Sequence, residues 1–192
     1  MNEKLNLTDK VGARIAKDTS FNEAANATGV YHVECVGADG QVKWAEDIEN
    51  IVVNVGKNLA LDTFLAGSAY TVTGPYMFLA GGTPASAAAT DTMATKTGWT
   101  EVGLANAPTY TGPRKTVAWS AAATGSKATS AALSFAITGS GTVAGCGIVF
   151  GTGAVSTIDS TAGTLYSVGA FTGGSKTVAN GDTLNVTYTA SL

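Results

Sequence analysis

Alternation of apolar and polar residues is the dominant signal along most of this chain. Val30-Tyr31-His32-Val33-Glu34-Cys35-Val36 is β-branched and aromatic, and Val42-Lys43-Trp44-Ala45-Glu46 alternates apolar with polar. Between them Ala38-Asp39-Gly40 supplies an Asp-Gly turn, so the pattern predicts a hairpin whose second strand Ile51-Val52-Val53 extends. The period then changes. Over residues 54–67, Val55, Leu59 and Asp62/Phe64/Leu65 follow helical spacing, with Asn54 as N-cap and Gly67 as the C′ residue. Strands resume at Tyr76-Met77-Phe78-Leu79-Ala80, an unbroken apolar run that reads as a buried strand. A loop of small residues over 85–98 follows, then short strands around 99–102, 115–120, 131–137, 142–150 and 164–171. A closing hairpin is predicted from Lys176-Thr177-Val178, the Asn180-Gly181 turn and residues 183–189. There Leu184, Val186 and Tyr188 face one way, and Thr183, Asn185, Thr187 and Thr189 the other.

About eight strands separated by turn signals, with one short helix, predict an all-β chain: an antiparallel β-sandwich, jelly-roll-like as one member of that class. No fixed period is visible, which argues against a propeller or solenoid. Charge divides the chain. Residues 1–50 hold nine acids and five bases, whereas residues 102–192 hold only Asp159, Asp182, Arg114, Lys115, Lys127 and Lys176. Residues 1–29 are therefore read as an extended or short-helical N-terminal arm that orders against a partner, and residues 30–192 as the sandwich body. In the arm, Leu5, Leu7, Val11, Ile15 and Phe21 are scattered and only loosely fit a helix.

Composition narrows the function classes. Charged residues make up 13% and glycine contributes 24 of 192 positions, about half the usual charge, as expected of a turn-rich β protein partly covered by neighbours. A net charge of −3 gives no electrostatic footprint for nucleic acid or an anionic membrane. No apolar run has the length of a membrane span, and the first seventeen residues have no signal-peptide core, which points to synthesis in a reducing cytoplasm. Cys35 and Cys146 carry no metal spacing; buried free thiols are the favoured reading and a single 35–146 bridge the alternative.

Candidate chemistry is sparse. His32, the only imidazole, sits within a strand pattern and reads as a strand-face residue rather than a base. Glu46, Asp47 and Glu49 resemble an acid pair or cation site, but they close a strand rather than a glycine-punctuated loop, so a partner-facing charge patch is favoured over metal. Gly145-Cys146-Gly147 and Gly151-Thr152-Gly153 lack the G-K-[ST] ending of a phosphate loop. Trp44, Trp99 and Trp119 suit core packing better than a sugar platform. Asp159 and Asp182, the two acids of residues 102–192, could in principle meet as a catalytic carboxylate pair. No catalytic residue, cofactor or metal is assigned.

The order of segments carries a resemblance. It begins with Val33-Glu34-Cys35-Val36-Gly37-Ala38-Asp39-Gly40-Gln41-Val42-Lys43-Trp44, Asn50-Ile51-Val52-Val53-Asn54-Val55-Gly56 and the short Leu-rich helix. It continues with Tyr76-Met77-Phe78-Leu79-Ala80-Gly81-Gly82-Thr83-Pro84, Asp91-Thr92-Met93-Ala94 and Gly98-Trp99-Thr100-Glu101-Val102, and closes with residues 163–171 and 181–188. This series resembles a family of virion structural proteins of tailed bacteriophages, over roughly residues 30–190. The resemblance implies a non-enzymatic particle component. The expectation is a decoration or cement subunit on the capsid surface, made in the bacterial cytoplasm, a dimer or trimer that binds junctions of the major capsid protein. The alternative is a tail-associated fibre, tip or baseplate protein with host-glycan binding. Expected contact residues are Leu5, Leu7, Val11, Ile15 and Phe21 of the arm and Glu46, Asp47 and Glu49 of the hairpin.

Overall fold

A computed structural model of the chain describes residues 27–65 and 73–191. The arm residues Leu5, Leu7, Val11, Ile15 and Phe21 lie outside that range, as does Gly67.

The opening hairpin forms where its pattern predicts. β1 (Thr28–Val36) and β2 (Val42–Val52) pair antiparallel, with Tyr31 opposite Ile48 and His32 opposite Asp47. The Gly37 N–H bonds Gln41 O at 2.8 Å and the Gln41 N–H bonds Asp39 Oδ1 at 3.0 Å. Gly40 sits at φ +77°, a left-handed conformation that would cost a residue with a side chain about 1–2 kcal/mol. α1 (Asn54–Leu65) follows at once. Its cap differs from the expectation by one residue. The Lys57 N–H bonds Val53 O (2.9 Å), which puts Val53 at the N-cap, while Asn54 is helical and its N–H bonds Ala89 O (2.7 Å). Burial decides this: Val53 is fully buried and fixes where the helix starts, whereas Asn54 is exposed. Of the predicted helical contacts, Leu59 is buried but Asp62 and Leu65 face solvent.

The remaining strands are β3 (Tyr76–Gly82), β4 (Trp99–Val102), β5 (Thr109–Tyr110), β6 (Lys115–Thr116), β7 (Ser126–Ala128), β8 (Leu133–Gly139), β9 (Gly141–Val143), β10 (Gly145–Phe150), β11 (Thr164–Ala170), β12 (Lys176–Val178) and β13 (Thr183–Ser191). The excess over the predicted number comes from two- and three-residue edge pieces, and from a break at Ala144 that splits the expected 142–150 strand. The main sheet runs β4-β3-β10-β11-β2-β1-β13-β8-β5, with β6 added on β3 and β7 on β13. Every pairing between these strands is antiparallel. β2 is the corner strand. Its residues up to Glu49 pair with β1, and Asn50, Ile51 and Val52 pair with β11. The sheet thus folds over on itself into two layers, an all-β, nearly closed sandwich with one α-helix among the described residues.

The predicted closing hairpin does not form. β12 pairs with β9, while β13 lies between β1 and β8. The Asn180-Gly181 turn reverses the chain, but its two arms enter different sheets. Asp182 causes the divergence: its carboxylate accepts from Ala179 N–H (2.8 Å) and from Lys43 Nζ (2.7 Å), tying the start of β13 to the β1–β2 hairpin. The alternation within β13 holds, since Leu184, Val186 and Tyr188 are fully buried.

Two apolar layers result. Between the halves of the sheet, Tyr31, Val33, Leu184 and Val186 meet Met77, Leu79, Cys146 and Ile148. On the far side of β3 and β10, Phe78, Trp99, Val149 and Leu165 pack with Val53 and Met93. β3 is therefore buried on both faces, as its unbroken apolar run requires. Cys35 and Cys146 are buried free thiols. Burial pushes the Cys35 thiol up to about 11, with the Asp182 charge adding to it, and burial raises Cys146 further. Tight strand packing depends on missing side chains: a Cβ on Gly145 would lie 1.8 Å from Gly169 O, and one on Gly147 2.3 Å from Phe78 Cζ. The Gly-Cys-Gly run is thus the first half of strand β10 rather than a phosphate loop. Gly145→Ala is expected to lower unfolding stability by at least about 2 kcal/mol, measured by urea titration, because the contact is to backbone that cannot rotate away.

Candidate functional site

Strand parity splits the acidic cluster at the end of β2. Asp47 and Glu49 point outward with Ala45, whereas Glu46 sits with Trp44 and Ile48 on the inner side, at the rim. The Glu46 carboxylate accepts from Thr172 N–H (2.6 Å) and Thr172 Oγ1 (2.7 Å), and pairs with Lys176 Nζ at 2.7 Å. It therefore clasps the turn after β11 and is not available as a metal ligand. Desolvation would raise this carboxyl, but the bonds from Lys176, Thr172 and Gly173 outweigh it and hold it down at about 2.

The outward side of β2 continues across β1, β13 and β8. Register places Glu49, Asp47 and Ala45 beside Val30, His32 and Glu34, then Thr189, Thr187 and Asn185, then Ser134. His32 Nδ1 lies 2.5 Å from Asp47 Oδ1, and the Ser134 hydroxyl donates to Asn185 Oδ1 at 2.7 Å. This face carries three carboxylates and one imidazole among small polar groups, with no lysine or arginine at any of these positions. It is an outward-facing acidic sheet surface.

Beyond Glu49 the same side opens into a groove of about 360 Å³. Ile51, Val168 and Ala170 form its floor, and Pro84, Ala85 and Ala87 line it from the segment after β3. That segment is the expected loop of small residues, with a single 3-10 turn at Pro84–Ser86. The loop is folded around Asp91, which is 2% exposed and accepts from Thr97 N–H (3.0 Å), Thr97 Oγ1 (2.7 Å) and Trp99 Nε1 (2.8 Å). Desolvation opposes ionisation of Asp91, but these donors prevail and its pKa is lowered.

The other sequence candidates fall elsewhere. The three tryptophans share no platform: Trp99 stacks on Phe78 (5.7 Å), Trp44 meets Phe171 edge-on (5.3 Å), and Trp119 meets Tyr188 (6.1 Å). Asp159 and Asp182 occupy different networks. The Asp159 N–H bonds Glu101 Oε2 (3.1 Å), whereas Asp182 holds Lys43. Among the described residues no group of three His, Cys, Asp or Glu side chains could hold a metal ion, and no helix is long and apolar enough to cross a membrane.

One buried device was missed in the sequence. Arg114 and Glu101 form a bidentate pair (2.8 and 2.7 Å), both side chains at most 1% exposed. Arg114 also donates to Val155 O (3.0 Å) and Ser160 O (2.7 Å), so one ion pair ties the long β10–β11 loop, and the short β5–β6 connection that carries Arg114, to β4. The signal was present: Glu101 is two residues from Trp99 and so shares its buried face. Four of the five N–H donors of this buried guanidinium are taken up inside the fold, which makes this a structural pair. No family model, curated protein or solved structure matches the chain.

The Glu46 clasp predicts a pH signature. Its folded pKa lies below the unfolded carboxyl value of 4.5, so its stabilisation is complete above pH 4.5 and fades as pH falls toward 2. Glu46→Gln is expected to remove up to about 3 kcal/mol at neutral pH. It should also flatten the acid limb of the stability curve, measured by denaturant unfolding from pH 7 to pH 2.

Proposed function

We propose that this protein is a non-enzymatic structural component of a tailed-phage particle: a decoration or cement subunit that binds junctions of the major capsid protein as a dimer or trimer. The observation that carries this reading is the outward face of β2, β1, β13 and β8. It is broad, held rigid from behind by the inter-layer core, made of short polar side chains, and acidic along one edge through Glu34, Asp47 and Glu49. Such a face suits a contact in which shape and register matter more than a deep pocket, with basic groups on the shell matching the carboxylates. The resemblance of residues 30–190 to virion structural proteins supports the same reading.

Rigidity is what a cement subunit contributes. A clamp that deformed would transmit no strength between shell subunits. Here glycines at β10 allow both faces of the central strands to be packed, and Arg114–Glu101 fixes the long loop between β10 and β11. A symmetric oligomer would multiply weak individual contacts, because once one copy is seated the others bind at high effective concentration. The arm, Leu5 through Phe21, adds contact area under this reading.

The test is copy number per purified particle, by quantitative mass spectrometry against the major capsid protein. Shell-wide cement predicts a ratio near unity or a simple fraction of it. A count of only a few copies to a few dozen per particle would move the protein to the tail, as a fibre, tip or baseplate part.

A further inference from the structure

The groove beside Glu49 has a natural occupant in this chain. β1 enters the fold at Thr28, and the last pair it makes with β2 is Val30 with Glu49. One step further along β2 lies Ile51, on the groove floor. Residues 1–26 therefore join the fold one strand away from the groove. Phe21 lies seven positions before Thr28, so an extended segment places it within about 23 Å of that point. The chemistry also fits. The floor and one wall are apolar and small, being Ile51, Val168, Ala170, Pro84, Ala85 and Ala87. At 360 Å³ the space is at the lower end for a ligand pocket, enough for one large ring and a few methyl groups. Ser20-Phe21-Asn22-Glu23-Ala24-Ala25-Asn26 offers one ring, two alanines and a single charge, Glu23, which would have to point out of the groove and away from Glu49.

We propose that residues 20–26 of the same chain dock in this groove, with Phe21 over Ile51 and Val168. The docked root sets the direction in which the remaining residues of the arm leave the body. Docking takes Phe21 out of the partner contacts proposed for the arm and leaves Leu5, Leu7, Val11 and Ile15 to them; it holds whatever partner those residues meet, so it does not depend on the particle assignment.

Disulfide trapping in the full-length protein tests it. Cys35 and Cys146 are buried, and burial holds both thiols protonated, so they stay silent under mild oxidation. The informative pair is Phe21→Cys with Ala85→Cys, since Ala85 is exposed on the groove wall. The reference pair is Phe21→Cys with Lys127→Cys. Lys127 is also exposed and also near the start of β1, because it pairs with Ala190, which pairs with Gly29. A segment that wanders would reach both positions. Docking predicts an intramolecular disulfide with Ala85→Cys that forms roughly tenfold faster than with Lys127→Cys, reflecting its higher effective concentration there. Equal rates for the two pairs would overturn the proposal. So would a product found only as a disulfide-linked dimer, which would give the groove to the arm of a second copy.

Discussion

The double use of β2 is the constraint on which the rest of the molecule depends. One strand pairs with β1 along most of its length and with β11 at its end, so a single sheet becomes two layers without a break in the chain. The inter-layer core, the burial of β3 on both faces and the groove at the corner all follow from that turn. Closing a sheet in this way removes most of its free edge, the feature that otherwise invites uncontrolled pairing with other chains. Close approach explains why β10 and β11 need glycine: a Cβ on Gly169 would meet the β2 backbone at the corner, one on Gly145 the β11 backbone, and one on Gly147 the Phe78 ring.

Polar groups then fix what apolar burial leaves undetermined. Each of four acids ties together segments distant in sequence. Asp182 links β13 to Lys43, Glu46 links β2 to Thr172 and Lys176, Asp91 organises the segment before β4, and Glu101 grips Arg114. With so few charges in the body, nearly every inward one has a defined mechanical role. Other charges, among them Asp39, Lys57, Asp62 and Lys127, are scattered over the surface, whereas the acids Glu34, Asp47 and Glu49 share one face, and that clustering makes the face the best candidate for contact with a partner.

Much of this was legible in the sequence. Alternation gave the β1–β2 hairpin, the buried run 76–80 and the inward set Leu184, Val186 and Tyr188. The Asp-Gly turn and the single helix were equally plain. Pairing was not legible, because a turn signal such as Asn180-Gly181 reports that the chain reverses and says nothing about which strands its arms join. The capping error at Asn54 has a similar origin: a local preference yielded to the burial of Val53. At the candidate site, the cluster Glu46, Asp47 and Glu49 was visible, but only strand parity separates the inward clasp from the two outward carboxylates. The groove was invisible, since it is assembled from three segments that meet only in the fold.

Carboxyl footprinting of the free and the particle-bound protein tests the central claim most directly. Carbodiimide labelling of exposed acids would be compared in the two states, with the exposed Asp62 of α1 as internal reference. If the outward face of β1 and β2 is the contact surface, Glu34, Asp47 and Glu49 lose labelling on the particle while Asp62 keeps it. Unchanged labelling of those three acids, with Asp62 protected instead, would contradict the assignment of that face.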